Sequence, residues 1–165
     1  MPALPAAWVL PGKSDGMSAE GLARFNALPL AVARELLLGC CSSLAWAERM
    51  ASGRPYSSAR DAARQSSAIV ARLSVPDLQA ALAGHDGCSQ RAAQAAGELA
   101  DALREYEQRF GHVYLAATSV QSGTQQLATL RTRLRNRREA EWRVIRTELQ
   151  KINAARLQEL LASSP

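Results

Sequence analysis

The chain has 165 residues, of which 47% are hydrophobic, 21% charged and 5% aromatic, and its formal net charge is +5. That length matches one ordinary domain with a real core, and the balance excludes a disordered chain. With so few aromatics the core falls to Leu, Ala, Val and Ile, and helix-favouring residues with little strict apolar/polar alternation predict an all-α fold, a single compact multi-helix domain.

Residues 1–16, MPALPAAWVLPGKSDG, read as a flexible tail, with a helical domain expected over 17–165. The tail has no basic start, and Pro5 and Pro11 bracket a very short apolar run, so no signal peptide is expected. Nowhere does the chain approach the roughly 20 apolar residues of a membrane span. Three cysteines, two of them adjacent (Cys40 and Cys41), fit a reducing, cytoplasmic setting and buried apolar roles on a helix.

Ser18 is a good N-cap for a short helix carrying Leu22 and Phe25. Pro29 suits the start of a second, with Leu30, Ala33, Leu36, Leu37 and Cys40 on one face. A third runs from Ser43 through Trp46 and Met50 to about Gly53. Ser57 or Ser58 caps a fourth, and Ser74, Pro76 and Asp77 open a short fifth that stops at Gly84. Gly84, His85, Asp86, Gly87 and Cys88 form the least regular stretch of the middle of the chain. Ser89 can then cap a long helix to Phe110, stopped by Gly111. Residues 113–117 fit either a buried helical turn or a strand. Ser122 and Gly123 begin another helix, broken near Asn136, and a final amphipathic helix carries Trp142, Ile145, Leu149, Ile152, Leu157 and Leu160.

Much of the positive excess lies in Arg131, Arg133, Arg135, Arg137, Arg138, Arg143 and Arg146. Glu139, Glu141 and Glu148 are interleaved with them, which predicts a solvated, salt-bridged helix face. No aromatic stacking platform or helix-turn-helix pattern accompanies these arginines, so a nucleic-acid partner is not expected.

There is no phosphate-binding glycine loop, no GxSxG, no HExxH and no Cys/His ligand spacing, so no metal is expected. Of the two histidines, His112 follows a helix stop, where a C-terminal dipole favours it. His85 lies in a glycine-flanked loop beside Asp86, a natural place for a positioned acid or base, although many loop histidines are plain surface residues.

Several stretches, in order and at matching spacing, carry a resemblance: FNALP at 25–29, CCSSLAWAERM at 40–50, RPY at 54–56, YEQRFGHVYL at 106–115, LRTRLRN at 130–136 and KINAARLQELL at 151–161. Together they resemble the 2-oxo-4-hydroxy-4-carboxy-5-ureidoimidazoline decarboxylases over most of the chain from residue 22 onward. The resemblance implies an all-α homodimer needing no metal or organic cofactor. Such an enzyme removes the carboxylate from an anionic heterocyclic product of urate oxidation and protonates the carbon on one face to give (S)-allantoin. It also implies site residues. His85 matches the family's catalytic histidine, Gln94 its substrate-binding glutamine, and Arg156 the arginine of a K-I-x-x-x-R-L context. Two departures stand beside these matches: Asp86 replaces the proline of the family's His-Pro pair, and Ala93 occupies the position of its glutamate. Asp86, Glu98 and Asp101 are the acids that could stand in. Arg156 could equally be a surface arginine of the last helix. Two other functions remain open on these residues: a same-fold enzyme acting on another carbon acid, as tautomerase, cyclase or decarboxylase, and a non-catalytic dimeric anion-binding protein.

Overall fold

A computed structural model describes residues 19–84, 97–117 and 122–163. Among these, eight helices and no strand occur: α1 (Ala19–Ala27), α2 (Leu30–Cys40), α3 (Leu44–Ser52), α4 (Ala59–Ala71), α5 (Val75–Ala83), α6 (Glu98–Phe110), α7 (Gly123–Arg133) and α8 (Arg138–Ser163). The all-α expectation holds. The 1–16 tail, the Ser18 and Ser89 caps and Cys88 lie outside the described residues.

Local chemistry sets the boundaries. Ser43, Ser58, Ser74 and Ser122 each accept a hydrogen bond from a backbone N–H in the first turn of α3, α4, α5 and α7. At Ser74 and Ser122 the bond is reciprocated, by Asp77 and Gln125, so that two orphan donors are satisfied at each of these helix starts. Gly111 ends α6 in the left-handed conformation at φ 77°. The long helix expected up to Phe110 does not run through unbroken: Gly97, at φ 59°, precedes a helix that starts at Glu98, a turn open to glycine but strained for other residues. Residues 113–116 are neither helix nor strand, and Leu115 there is fully buried.

The long α8 is the axis of the main core, packing against α1, α2 and α4, with α3 joining α2, α4 and α5. Its Ile145, Leu149, Leu157 and Leu161 meet Phe25, Leu37, Trp46, Met50, Val70 and Leu78. On α2 the buried face is Ala33, Leu37 and Cys40; Leu30, expected on that face, is 57% exposed because it begins the helix before the face has turned inward. A second, smaller cluster joins α6 to α7 through Ala102, Leu103, Tyr106, Phe110 and Leu130.

The arginine-rich stretch is not simply a solvated face. Arg133 and Glu141 are buried, at 6% and 0% exposure. Arg133 donates from Nε at 2.8 Å and from Nη2 at 2.5 Å to Glu141 Oε1, and from Nη1 at 2.6 Å to the Leu115 carbonyl. Tyr106 Oη donates to the same carboxylate at 2.5 Å and Asn136 Nδ2 at 2.7 Å. Other arginines close helix ends. Arg138 donates to the Phe110 and Arg109 carbonyls at the end of α6, and Arg146 to Leu73 just past α4. Arg54 donates to Phe25 and Leu28 at the end of α1. Unsatisfied carbonyls concentrate at helix C-termini, and a guanidinium there also meets the negative end of the dipole. Part of the positive charge is therefore consumed by the fold.

Removing one member of a buried ion pair strands the other. Glu141→Leu is expected to lower stability by about 3–5 kcal/mol, whereas Arg133→Met with Glu141→Leu should lose distinctly less. Urea unfolding followed by far-UV circular dichroism checks this, and equal losses in the single and double variants would contradict it.

Candidate functional site

The expected site residues His85, Asp86 and Gln94 all lie outside the described residues, as does Ala93. Arg156 and the frame around it are described. Arg156 sits, half-buried, in the C-terminal half of α8, where that helix crosses the end of α2. Its Nη1 donates to the Cys40 carbonyl at 2.9 Å, and the Cys40 thiol donates back to the Arg156 carbonyl at 3.9 Å. The guanidinium is thus oriented by a backbone acceptor at a helix C-terminus, unlike a surface arginine held by nothing but solvent.

Burial disfavours the thiolate form of both neighbouring cysteines. Burial pushes Cys40 up to about 11 in spite of the Arg156 charge, and burial likewise raises Cys41. A thiol held protonated is a poor nucleophile, so these cysteines serve as small buried side chains. Asn153, one helical turn before Arg156, is fully buried beside the Cys41 thiol, and among the described residues neither of its amide atoms meets a partner in hydrogen-bonding geometry. Sequence reading passed over it, since an Asn within a helix carries no motif of its own.

Residues 41–43 form the turn between α2 and α3. Cys41 is extended, at φ −150°, with its N–H on the Leu37 carbonyl; Ser43 is buried and caps α3. Ser42 between them is exposed and lies against Gly84, the last described residue before His85. Gly84 therefore lies beside the turn that directly follows Cys40, the residue whose carbonyl orients Arg156.

Two alternatives for the missing acid are elsewhere engaged. Glu98 is 74% exposed and pairs with Arg131 at 2.8 Å, and Asp101 is exposed and pairs with Arg104. His112, just past the end of α6, packs among aromatic rings. Its ring lies 4.5 Å from that of Trp142 and edge-on to Tyr106, bridging the two apolar clusters, with Nδ1 on the Val113 carbonyl. Burial lowers its pKa below the ordinary imidazole value, which favours the neutral form. Among the described residues no group of three or more His, Cys, Asp or Glu side chains could hold a metal, and no helix is long and apolar enough to cross a membrane.

A family model described as OHCU decarboxylase, the abbreviation of the same ureidoimidazoline enzyme, matches residues 26–158. Among solved structures the chain is similar to an OHCU decarboxylase crystallised in the presence of (S)-allantoin. The identity is 22% and the TM-score 0.67, over 79% of this chain and 99% of that one. It is also similar to a structure of (S)-allantoin synthase, at 19% identity and TM-score 0.63, over 82% of this chain and 52% of that one. No match is found among the curated proteins.

Two outcomes follow from the buried groups. His112 has a folded pKa below its ordinary 6.5, so as pH falls below about 6.5 the unfolded chain takes up a proton that the folded chain resists. Stability is expected to be full above that pH and to fall on acidification; His112→Phe should flatten this slope between about pH 6.5 and 5, as read by urea midpoints across the range. For Asn153→Leu, which removes a buried amide whose contact with the Cys41 thiol falls short of hydrogen-bonding geometry, stability should stay level or rise by about 1 kcal/mol; a loss would mean that the amide is bonded in solution.

Proposed function

Because the chain belongs to the OHCU decarboxylase family, we propose that it is a cofactor-independent decarboxylase that converts 2-oxo-4-hydroxy-4-carboxy-5-ureidoimidazoline to (S)-allantoin. The observation carrying this reading is the family match over 26–158, which includes His85, Gln94 and Arg156. The hydrogen bond that orients Arg156 on the Cys40 carbonyl supports a binding role for its guanidinium.

In this reaction the bond from the ring carbon to the carboxylate breaks, carbon dioxide leaves, and the electron pair passes into the adjacent unsaturated ring system. One proton delivered to a single face of that carbon then fixes the product's configuration. Arg156 suits an oxygen anion of the substrate, since its fork is already fixed by the fold and needs no reorganisation as charge moves. Gln94 would hold the ring by its amide. His85 supplies or accepts the proton, for which an imidazole titrating near neutrality is suited. Asp86, directly after it, takes the place of the family's proline and can bind substrate or bias the imidazole toward its protonated form. The enzyme is proposed to act as a homodimer, as the resemblance implies, and in the cytoplasm, as the sparse, partly adjacent cysteines suggest.

A second reading keeps the fold and the carbon-acid chemistry but changes the substrate. It rests on Asp86 and on Ala93, where the family's acid would contribute to stabilising the intermediate. The anion-binding alternative keeps a narrower basis: Arg133, Arg138 and Arg146 of the stretch that suggested it bond within the chain, while Arg135, Arg137 and Arg143 are exposed.

Fresh substrate made from urate by the two preceding enzymes should give an (S)-allantoin circular dichroism signal much faster than spontaneous decay when this protein is added. His85→Ala should abolish about 10²-fold or more of that rate. Arg156→Lys should mainly raise KM by losing the fork. A trace no faster than spontaneous decay would favour the changed-substrate reading, as would binding of another heterocycle but not of allantoin.

A further inference from the structure

Several arginines of this fold end on helix carbonyls, Arg54, Arg138 and Arg146 among them. Arg49 and Arg72 stand at the same kind of place, the last turn of α3 and the C-terminal end of α4. The carbonyls there are already taken. At the end of α3, the Gly53 N–H donates to the Arg49 carbonyl, Tyr56 Oη to that of Met50 at 2.7 Å, and Arg54 Nε to that of Ala51 at 2.9 Å. At the end of α4, the N–H groups of Arg72 and Leu73 donate to the Ile69 and Val70 carbonyls, and Arg146 takes that of Leu73. Among the described residues, neither the Arg49 nor the Arg72 guanidinium closes a helix end, and both side chains are exposed.

Their position separates them from ordinary surface arginines. Both line an open cleft of about 820 Å³ between α3 and α4, within the span of about 300–1,000 Å³ usual for small-molecule sites. Gln65, Ala68, Ile69 and Arg72 line it at the spacing of one helical face of α4, and Ser52 lies on α3 one turn beyond Arg49. The Trp46 indole, donating to Ser66 Oγ at 3.1 Å, fixes the two helices to each other, so the walls are set in advance. Among the described residues no carboxylate lines the cleft. Glu48 lines a different groove, with Leu30 and Arg34 of α2, and Asp61 is engaged by Ser57 and Arg64. Two permanent cations, an amide and a hydroxyl thus meet an apolar wall of Ala68 and Ile69.

We propose that this cleft binds a phosphate-type oxyanion carried on a small organic body. Arg49 and Arg72 clamp the anion, and Ala68 and Ile69 lie against the apolar part. Two guanidinium forks match a dianion with several acceptor oxygens better than a single carboxylate. The cleft lies at the far end of α3 from the turn that follows Cys40, about 13 Å along the helix axis. It is therefore separate from Arg156, and the proposal does not rest on the decarboxylase reading.

Isothermal titration calorimetry of the full chain at low ionic strength tests this, with inorganic phosphate and phenyl phosphate as probes. Saturable binding of both is expected, tighter for phenyl phosphate. Arg49→Ala and Arg72→Ala should each weaken it about tenfold, the scale of one charge-assisted contact. Ala68→Glu, at an exposed position, leaves both arginines in place, sets a carboxylate among them and should abolish binding; Ala68→Gln should not. Arg143→Ala removes the same charge from an exposed site outside the cleft and should change the affinity little. Losses as large in Arg143→Ala as in Arg49→Ala would mark a diffuse effect of the net charge and overturn the proposal, as would no saturable binding of either probe. Equal affinities for the two probes would overturn the apolar half of it and make free phosphate the occupant.

Discussion

A carboxylate with no solvent contact holds the two halves of this fold together. The α6–α7 pair has its own small cluster, and its union with α8 depends on side chains meeting at Glu141. Tyr106 from α6, Arg133 from α7 and Asn136 from the turn that follows all converge there, and Arg133 reaches on to Leu115 in the extended segment. Taking two charges out of water is unfavourable, and the arrangement offsets this only because most of the lone pairs and protons involved find partners. Burial and the Glu141 charge both drive the Tyr106 hydroxyl far above its ordinary range, so it stays a donor to that carboxylate. Such a junction tolerates few orientations, since a shift that improves one bond breaks another.

The motifs that carry the family resemblance are mostly of this structural kind. In FNALP and RPY, Asn26 exchanges hydrogen bonds with the Tyr56 backbone in both directions while Arg54 gathers the carbonyls at the end of α1. In CCSSLAWAERM, the Trp46 indole donates to Ser66 in the core and Ser43 caps α3. LRTRLRN contributes Arg133 and Asn136 to the Glu141 junction. These residues identify the fold because long-range polar contacts between specific side chains are hard to replace, and for the same reason they say little about chemistry.

Helix ends were legible in the sequence because serine caps, Asp77 and Gly111 act locally. Leu30 was misplaced because burial at a first helical residue depends on where the chain enters, which the period does not encode. Arg133 and Glu141 were hidden for a related reason: eight residues apart and separated by a turn, they look like surface charges until the helices on either side fold back. Of the site, Arg156 was legible only through its resemblance context, and its Cys40 acceptor, 116 residues away in sequence, left no local trace. The Ser42–Gly84 contact was invisible, since a glycine at a helix end already has a sufficient local reason to be there.

The length of α8 bears on how this protein can change over generations. Glu141 and Arg156 stand 15 residues apart on it, about 22 Å along the axis. Sites so separated respond to substitution almost independently. Substitutions around Arg156 can therefore accumulate without eroding the Glu141 junction, and a gene copy can change there while its product still folds. The features by which the family is read, Asn26, Trp46, Arg133 and Asn136, lie in the frame and not at that end of the helix.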